Sequence, residues 1–283
     1  LTTGSSSSDK ISEEKKSIAA DFTERALSFI EADKIRPMKI VLDAGSGMAG
    51  QMLLPILQKL PLEVKKLHFE PDGNFPYHPP DPSRTENLKD LIDEISAKGG
   101  NFGAAFDGDG DRVIFVDESG RVVPPSIAGA IMSRYFLLKN PKDKIVYGVT
   151  VSRIVPETVV KMGGIAVGER VGHVFISRKL KEIGGVFALE SSGHYFFRDF
   201  FYADSGIIGF LVMLQILSDE TKSLSALSAE FSKYISIPET NFSVLNPKKI
   251  MESVAEHFAG YEMERIDGLS VKTEDFWFNL RVD

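Results

Sequence analysis

Apolar positions divide the chain into alternating strand-like and helix-like segments. Residues at helical spacing from Ile18 to Ile30 predict a helix that runs to about residue 32. Short apolar runs with branched side chains, such as residues 38–42 and 102–106, predict buried strands. Residues 71–82, which we call the proline-rich loop, interrupt this rhythm with five prolines.

The same rhythm continues through two consecutive units. Further strands are predicted at residues 63–68, 144–149, 164–167, 185–189 and 277–282, with a hairpin at 113–123. Helices are predicted at residues 51–60, 88–95, 127–138, 155–162, 174–183 and 204–217. We therefore predict an α/β protein with two three-layer α/β/α domains, mostly parallel mixed sheets, and an incomplete α+β C-terminal domain.

The predicted boundaries follow from where each unit begins. Residues 1–17 are interpreted as a linker or the end of a first domain, 18–123 and 124–234 as α/β domains, and 235–283 as a domain cut short. Because the first residue is Leu1 and not methionine, we expect the chain to start partway through a longer protein. Ligands are expected at the carboxyl ends of the strands.

Composition and charge narrow the classes of function. The 283 residues carry a net charge of −7, which argues against a nucleic-acid partner. No apolar run approaches the ~20 residues that a membrane helix needs, and no signal peptide is recognisable. The chain has no cysteine, which excludes disulfides and thiolate metal sites and fits a cytoplasmic location. Oligomeric state is not readable from the sequence.

Three aspartates alternate with glycines directly after the predicted strand at residues 102–106. Asp107, Asp109 and Asp111 repel one another unless a divalent cation lies between them, and hard cations prefer such oxygen ligands. The glycines let the backbone curl so that all three carboxylates can face one point. Arg112 adds a permanently charged guanidinium that suits a phosphate. We call residues 107–112 the Asp-rich loop.

Two other interpretations of these aspartates stay open from the residues alone. They could form a plain acidic surface turn, although the segment ends a buried strand. They also match positions 1, 3 and 5 of an EF-hand calcium loop, with Glu118 at position 12. That loop needs glycine at its sixth position, which is Arg112 here, and helices rather than strands on its flanks.

A second polar loop follows the predicted strand at residues 185–189. Residues 190–194, the ESSGH loop, combine a carboxylate, two hydroxyls and an imidazole. Together with FDGDGDR at residues 106–112, this loop resembles the signature loops of the α-D-phosphohexomutases, the second of which reads G-E-x-S-G-H. Leu189 departs from the first glycine of that pattern. Residues 195–206 (YFFRDFFYADSG) are similar to the phosphomannomutase subgroup, and Asp204 or Ser205 would cap the following helix.

The resemblance implies roles for these residues. Mg²⁺ would be bound by Asp107, Asp109 and Asp111, with a phosphoserine oxygen as fourth ligand, and Arg112 would face the phosphate. The residues implied for hydrogen bonds to a hexose phosphate are Glu190, Ser192 and His194.

Other segments match the family less strongly. Residues 171–173 (VGH) resemble a loop that closes on the substrate, so Gly172 and His173 are candidates for sugar contact and His173 for proton transfer. Arg281 would begin the family's R-x-S-N-T-E-P phosphate loop, although Asp283 stands where the family has serine. The weaker basic candidates are Arg153 and Arg170.

Two groups of residues receive no chemical role. Residues 43–50 (DAGSGMAG), the glycine-rich turn, match the spacing G-x-G-x-x-G of dinucleotide-binding loops. No acidic residue ends a second strand at the distance that such a site needs, so a packing role is favoured. The histidines without an assigned partner are His68, His78 and His257.

The family reaction implied is conversion of mannose 6-phosphate to mannose 1-phosphate through a phosphoserine and a bisphosphate, with Mg²⁺. No T-A-S-H-N-P-like loop is found; the serines at positions 5–8 run into Asp-Lys. We therefore expect the chain to lack the nucleophile and to be inactive alone. The alternatives are a phosphoglucomutase or phosphoglucosamine mutase, and a non-catalytic module that binds sugar phosphate or Mg²⁺.

Overall fold

A computed structural model describes residues 17–237 and 239–282. The predicted linker at residues 1–17 lies almost wholly outside this part, as do the serines at positions 5–8 and Asp283. Among the described residues, no helix combines the length and the apolar character that crossing a membrane would require.

The first sheet has five strands in the order β2-β1-β3-β4-β5. They are β1 (Met38–Asp43), β2 (Leu62–Leu67), β3 (Phe102–Phe106), β4 (Val113–Asp117) and β5 (Val122–Val123). β1 runs parallel to β2 and β3, while β4 pairs antiparallel with β3 and β5. The turns after β1, β2 and β3 therefore meet at one edge of the sheet.

Helices cover both faces of this sheet. They are α1 (Ala19–Leu27), α2 (Ala49–Leu57) and α3 (Lys89–Lys98), with short 3₁₀ turns at Ala32–Lys34 and Thr85–Leu88. Successive strand residues point to opposite faces. Accordingly Val41 packs with Leu91 and Ile95 of α3, whereas Ile40 belongs to the larger core that contains Leu53 of α2.

The second sheet has four strands in the order β7-β6-β8-β9. They are β6 (Lys144–Gly148), β7 (Ile165–Glu169), β8 (Phe187–Leu189) and β9 (Tyr195–Phe197). β6 is parallel to β7 and β8, and β9 returns antiparallel to β8. The accompanying helices are α4 (Pro125–Lys139), α5 (Ile154–Lys161), α6 (His173–Ile183), α7 (Gly206–Glu220) and α8 (Leu224–Ala229).

The helix α7 joins the two α/β units into one core. It is buried from Gly206 to Ser218, as expected for a helix that is apolar on all sides. The ring of Phe210 lies 6.2 Å from that of Phe102 and 6.0 Å from that of Phe106, both on β3. This packing brings the carboxyl ends of β3 and β8 close together.

The C-terminal region is a small antiparallel sheet with one helix. It contains α9 (Pro247–His257), β10 (Glu262–Glu264), β11 (Leu269–Lys272) and β12 (Trp277–Leu280). β11 lies between the other two strands. The α/β class, the two α/β/α units and the mixed sheets are as predicted, whereas α8, α9, β9, β10 and β11 were not predicted.

Candidate active site

The Asp-rich loop curls at the carboxyl end of β3. Carboxylate oxygens of Asp107, Asp109 and Asp111 lie within 4.8 Å of one another, so one cation could contact all three. Asp107 is buried and Asp109 is exposed, so the group opens to solvent on one side. Gly110 has a φ of +84°, which permits the turn before the third carboxylate.

Arg112 is held between two carboxylates. Its Nε donates to Asp107 Oδ2 at 2.7 Å, and its Nη1 donates to Asp81 Oδ1 at 3.1 Å. Asp107 Oδ1 accepts from the backbone N–H groups of Gly110 and Arg112, at 3.0 and 3.1 Å. Asp107 is therefore oriented mainly by atoms within five residues of itself.

The glycine-rich turn packs directly on the Asp-rich loop. The Met48 N–H donates to the Gly108 carbonyl at 2.9 Å. A Cβ on Gly47 would collide with that same carbonyl, so the close approach of the two backbones requires glycine. The packing role predicted for this turn is confirmed.

The ESSGH loop connects β8 to β9 and is bonded to the predicted closing loop. Glu190 Oε1 accepts from the Gly172 N–H at 2.8 Å. His194 Nδ1 lies 2.8 Å from Ser192 Oγ and 3.4 Å from Glu190 Oε2. Gly193 has a φ of +93°. The carboxylate, the hydroxyl and the imidazole named from the sequence are therefore neighbours.

The two loops, which lie 83 positions apart (190 − 107), are in contact. Val113 N–H donates to the Gly193 carbonyl at 3.2 Å, and Arg112 forms an isolated antiparallel bridge with His194. His194 Nε2 lies 3.4 Å from Asp111 Oδ1. A Cβ on Gly206, the first residue of α7, would lie 2.5 Å from the Arg112 carbonyl.

Charges within the site perturb one another. Burial alone would lower the pKa of His194, but its contacts with Asp111 and Glu190 raise that pKa to about 9. The imidazole is therefore protonated at neutral pH. The same contact with His194 lowers the pKa of Asp111, whereas burial raises the pKa of Asp107. Asp111 Oδ1 is buried and receives no well-aligned hydrogen bond from the described residues.

The predicted closing loop, residues 171–173, lies beside the ESSGH loop. Gly172 has a φ of +123° and precedes α6, whose first residue is the exposed His173. The ring centroids of His173 and His194 are 6.3 Å apart. Both imidazoles therefore lie close enough for one hexose to contact them.

The basic candidates lie further out. Arg281 Nη1 is 3.7 Å from Asp267 Oδ2, and that oxygen accepts from the Val171 N–H at 3.0 Å. Arg281 is thus connected to the closing loop through Asp267. Arg153 donates to the Thr273 carbonyl at 3.3 Å, in the C-terminal region. Arg170, which directly precedes the closing loop, stacks on Phe175 of α6.

Reasoning from sequence missed three acidic residues. Asp81 holds Arg112, Asp267 holds the closing loop, and Asp204 lies with Asp111 and His194 within 4.8 Å, with a buried oxygen that has no hydrogen-bond partner among the described residues. Asp204 was considered only as a helix cap, but Ser205 caps α7 by accepting from Ile208. The sequences around Asp81 (HPPDP, residues 78–82) and Asp204 (ADSG, residues 203–206) do not by themselves indicate these contacts.

The fold and the site together define an α/β protein with a converging carboxylate group and a polar ligand loop at adjacent strand ends. Two family models match: "Phosphoglucomutase/phosphomannomutase, alpha/beta/alpha domain II" over residues 20–120 and domain III of the same family over residues 124–234. The chain belongs to the α-D-phosphohexomutase family.

Individual relatives agree with this assignment. A phosphomannomutase of Methanocaldococcus jannaschii is 39% identical over 96% of this chain and 62% of its own length. A phosphomannomutase/phosphoglucomutase of Pseudomonas aeruginosa is 36% identical over 87% of this chain and 54% of its own. A solved family member from Burkholderia thailandensis has a TM-score of 0.85 and 34% identity, over 93% of this chain and 57% of its own. The chain thus spans about three fifths of the length of these relatives.

Proposed function

We propose that this chain carries the metal-binding and sugar-binding loops of a phosphohexomutase that interconverts mannose 6-phosphate and mannose 1-phosphate. The contact between the two loops, His194 to Asp111 at 3.4 Å, carries the proposal. It puts a site for a divalent cation next to groups that read sugar hydroxyls. The names of the relatives favour mannose, and one of them also names glucose.

The donor set fits Mg²⁺. Asp107, Asp109 and Asp111 offer only oxygen ligands, and Asp111 Oδ1, which accepts no hydrogen bond from the described residues, is left available for a cation. In the proposed site these three carboxylates hold the ion. When bound, Mg²⁺ supplies charge stabilisation for a transferring phosphoryl group.

Arg112 of the Asp-rich loop and His194 of the ESSGH loop are proposed to contact the ligand in different ways. Arg112 is fixed by Asp107 and Asp81, so its remaining N–H groups are oriented for phosphate oxygens. His194 carries a positive charge at neutral pH and can donate to a hydroxyl or phosphate oxygen. Because its partners Asp111 and Glu190 keep it charged, His194 is better suited to binding than to accepting a proton.

The ESSGH loop and the closing loop are proposed to bind the sugar. Glu190 and Ser192 offer an acceptor and a hydroxyl of the kind that read sugar hydroxyls in either orientation. Gly172 ties the closing loop to Glu190, which places His173 at the same opening. His173 is the candidate for proton transfer, since it is exposed and lies at the first turn of α6, beside the ESSGH loop. Arg281 stays a candidate for the phosphate through its link to the closing loop.

The proposed reaction has two phosphoryl transfers. A phosphoserine gives its phosphoryl group to mannose 6-phosphate, and the resulting bisphosphate returns its other phosphoryl group to the serine, leaving mannose 1-phosphate.

The domain boundaries predicted from the sequence and a cytoplasmic location remain parts of the proposal. Limited proteolysis would test the boundaries, and cell fractionation would test the location.

The test uses the protein as its gene encodes it, assayed on mannose and glucose phosphates with Mg²⁺. We expect mannose 6-phosphate turnover that falls more than about 100-fold in Asp109→Ala, because even changes behind a metal ligand cost 10–100-fold. Glu252→Ala, which removes an exposed carboxylate on α9, is the charge-matched control and should retain activity. Undiminished turnover in Asp109→Ala refutes the metal assignment. Sugar-phosphate binding without turnover favours the binding module.

A further inference from the structure

A second group of metal-ligating side chains lies at the same edge of the first sheet, outside the site described above. It consists of Asp43, the last residue of β1, His68, which follows β2, and His78 of the proline-rich loop. Ligand atoms of all three lie within 4.8 Å of one another. Their side chains are 1%, 10% and 14% exposed, so the group is largely withdrawn from water.

Both imidazoles are aimed at one carboxylate. His68 Nδ1 lies 3.0 Å from Asp43 Oδ1, and His78 Nε2 lies 3.1 Å from Asp43 Oδ2. Asp43 Oδ1 is further oriented by the Gly45 N–H at 2.9 Å. His68 keeps its position with a φ of +52°, a conformation that non-glycine residues rarely adopt and that is held only when the surroundings impose it.

The far nitrogen of each ring already faces an acceptor. His78 Nδ1 lies 2.9 Å from the Pro79 carbonyl, and His68 Nε2 lies 3.4 Å from Asp90 Oδ2. A carbonyl or a carboxylate can only accept, so in a neutral ring these far nitrogens carry the proton. The near nitrogens then present lone pairs toward the carboxylate of Asp43. In these tautomers each lone pair lies 3.0 or 3.1 Å from a carboxylate oxygen, an arrangement that a cation between the three groups would stabilise.

We propose that Asp43, His68 and His78 form a zinc site. Two imidazole nitrogens and a carboxylate oxygen suit Zn²⁺, whereas Mg²⁺ prefers oxygen ligands alone. A hydrogen bond from the non-ligating nitrogen to a carbonyl or carboxylate is the usual support of a zinc-bound histidine. His78 has one to the Pro79 carbonyl, and the corresponding nitrogen of His68 lies 3.4 Å from Asp90 Oδ2. Three protein ligands leave one position for water.

The same contacts fit a second state of these three residues. Protons on His68 Nδ1 and His78 Nε2 could each bond an oxygen of Asp43, at 3.0 and 3.1 Å, so a hydrogen-bonded cluster is the alternative to a bound ion. The binding of Zn²⁺ at neutral pH separates the two descriptions.

A zinc ion here would act on the rest of the chain through the proline-rich loop. His78 would be tied to the ends of β1 and β2, and Asp81, three residues later, bonds Arg112 at 3.1 Å. The zinc site would thus fix the loop that orients Arg112 without touching a substrate. Its role is structural, and it does not depend on the proposed mutase activity.

The test measures zinc binding by the purified, chelator-treated chain in excess Mg²⁺. We expect one equivalent of Zn²⁺ per chain, and Co²⁺ in its place should give the visible absorption of a low-coordinate site with nitrogen ligands. His68→Gln and His78→Gln should each weaken Zn²⁺ binding at least about tenfold. His257→Gln, an exposed histidine, and Asp109→Ala, in the Asp-rich loop, are the controls and should bind as the wild type does.

Each contrary result has a defined meaning. Zinc binding that survives in His68→Gln and His78→Gln but falls in Asp109→Ala locates the ion in the Asp-rich loop and overturns the proposal. Less than stoichiometric binding by the wild type at micromolar zinc overturns it too and leaves a hydrogen-bonded cluster. If the histidine variants do not fold, the Co²⁺ spectrum and the zinc-dependent shifts of the imidazole resonances in the wild type decide.

Discussion

The Asp-rich loop and the ESSGH loop are held in different ways. Asp107 is oriented by hydrogen bonds from Gly110 and Arg112, all within five positions. Glu190, by contrast, is bonded to Gly172, eighteen positions earlier and on another strand connection. The buried carboxylate of the first loop is thus held mainly by its own loop, whereas that of the second is held by a segment that another part of the fold brings to it.

This difference matches what each loop is proposed to do. A metal site gains affinity when its ligands are fixed before the ion binds, and short-range hydrogen bonds achieve this at low entropic cost. A sugar site that accepts a ligand in two orientations needs groups that can adjust, and support from a separate closing loop permits that. The two loops meet at His194, which lies 3.4 Å from carboxylate oxygens of both Asp111 and Glu190.

The strongest test of local support is Arg112→Lys. Lysine keeps the charge but cannot donate to Asp107 and Asp81 at once, because it lacks the planar fork of the guanidinium. We expect the Mg²⁺ dissociation constant to rise roughly 10- to 100-fold, measured by calorimetry. Arg121→Lys, in which the exposed Arg121 pairs with the buried Asp117 at the β4–β5 turn, is the matched control. Equal Mg²⁺ affinities of the two variants would show that Arg112 does not support the loop.

The packing of α7 on the Asp-rich loop is tested by Gly206→Ala. The added Cβ would lie 2.5 Å from the Arg112 carbonyl, so the backbone of the Asp-rich loop or of α7 must shift. We expect a loss of roughly 1–3 kcal/mol in the free energy of unfolding, visible as a fall of several degrees in Tm. Gly260→Ala, where a Cβ would meet nothing within 4 Å, should change stability by less than about 0.5 kcal/mol. An unchanged Tm in Gly206→Ala means that α7 and the Asp-rich loop are not tightly packed.

The same distinction explains how far the sequence could predict the site. The carboxylates of the Asp-rich loop lie in a short segment at a strand end, so their spacing located them. The side chains of the ESSGH loop also follow a strand, but the resemblance to the α-D-phosphohexomutases identified them. The partners of His68 and His78 could not be found in this way, because Asp43 lies 25 and 35 positions away along the chain. Asp81 and Asp267 were missed for the same reason.

The fold shows a similar limit. Most buried strands and amphipathic helices of the first two units were predicted within a few residues, since burial on a regular element imposes its period on the sequence. The helix α1 is an exception, because it ends at Leu27 and not at about residue 32 as predicted. β9 was not predicted because its residues, Tyr195–Phe197, are aromatic on both faces and buried throughout, which removes the alternation. The helix α4 begins at Pro125, two residues before the prediction, because proline is tolerated at the first turn.

Glu190→Gln tests whether the charge of Glu190 supports the ESSGH loop alone and not the Asp-rich loop. Glutamine can still accept from the Gly172 N–H but no longer attracts the imidazolium of His194. We expect the dissociation constant for mannose 6-phosphate to rise about tenfold, while Mg²⁺ affinity changes little. The pKa of His194, followed by NMR, should fall from about 9 toward its ordinary value. Glu182→Gln, an exposed carboxylate of α6, is the control, and a His194 pKa that does not move in Glu190→Gln contradicts the assignment of its cause.

The smallest expected effect is that of Asp267→Asn, which tests the link from Arg281 through Asp267 to the closing loop. Asparagine can keep accepting from the Val171 N–H, but it loses its charge for Arg281, and a partly exposed ion pair contributes at most about 1 kcal/mol. We therefore expect mannose 6-phosphate affinity to fall roughly threefold and Mg²⁺ affinity to stay constant, both measured by calorimetry.

Asp267→Ala should cost more sugar-phosphate affinity than Asp267→Asn, because it also leaves the Val171 N–H without its acceptor. If either variant weakened Mg²⁺ as much as the sugar phosphate, the Asp-rich loop would depend on distant segments just as the ESSGH loop does. The distinction between a locally held metal site and a remotely held sugar site would then fail, since one network would support both.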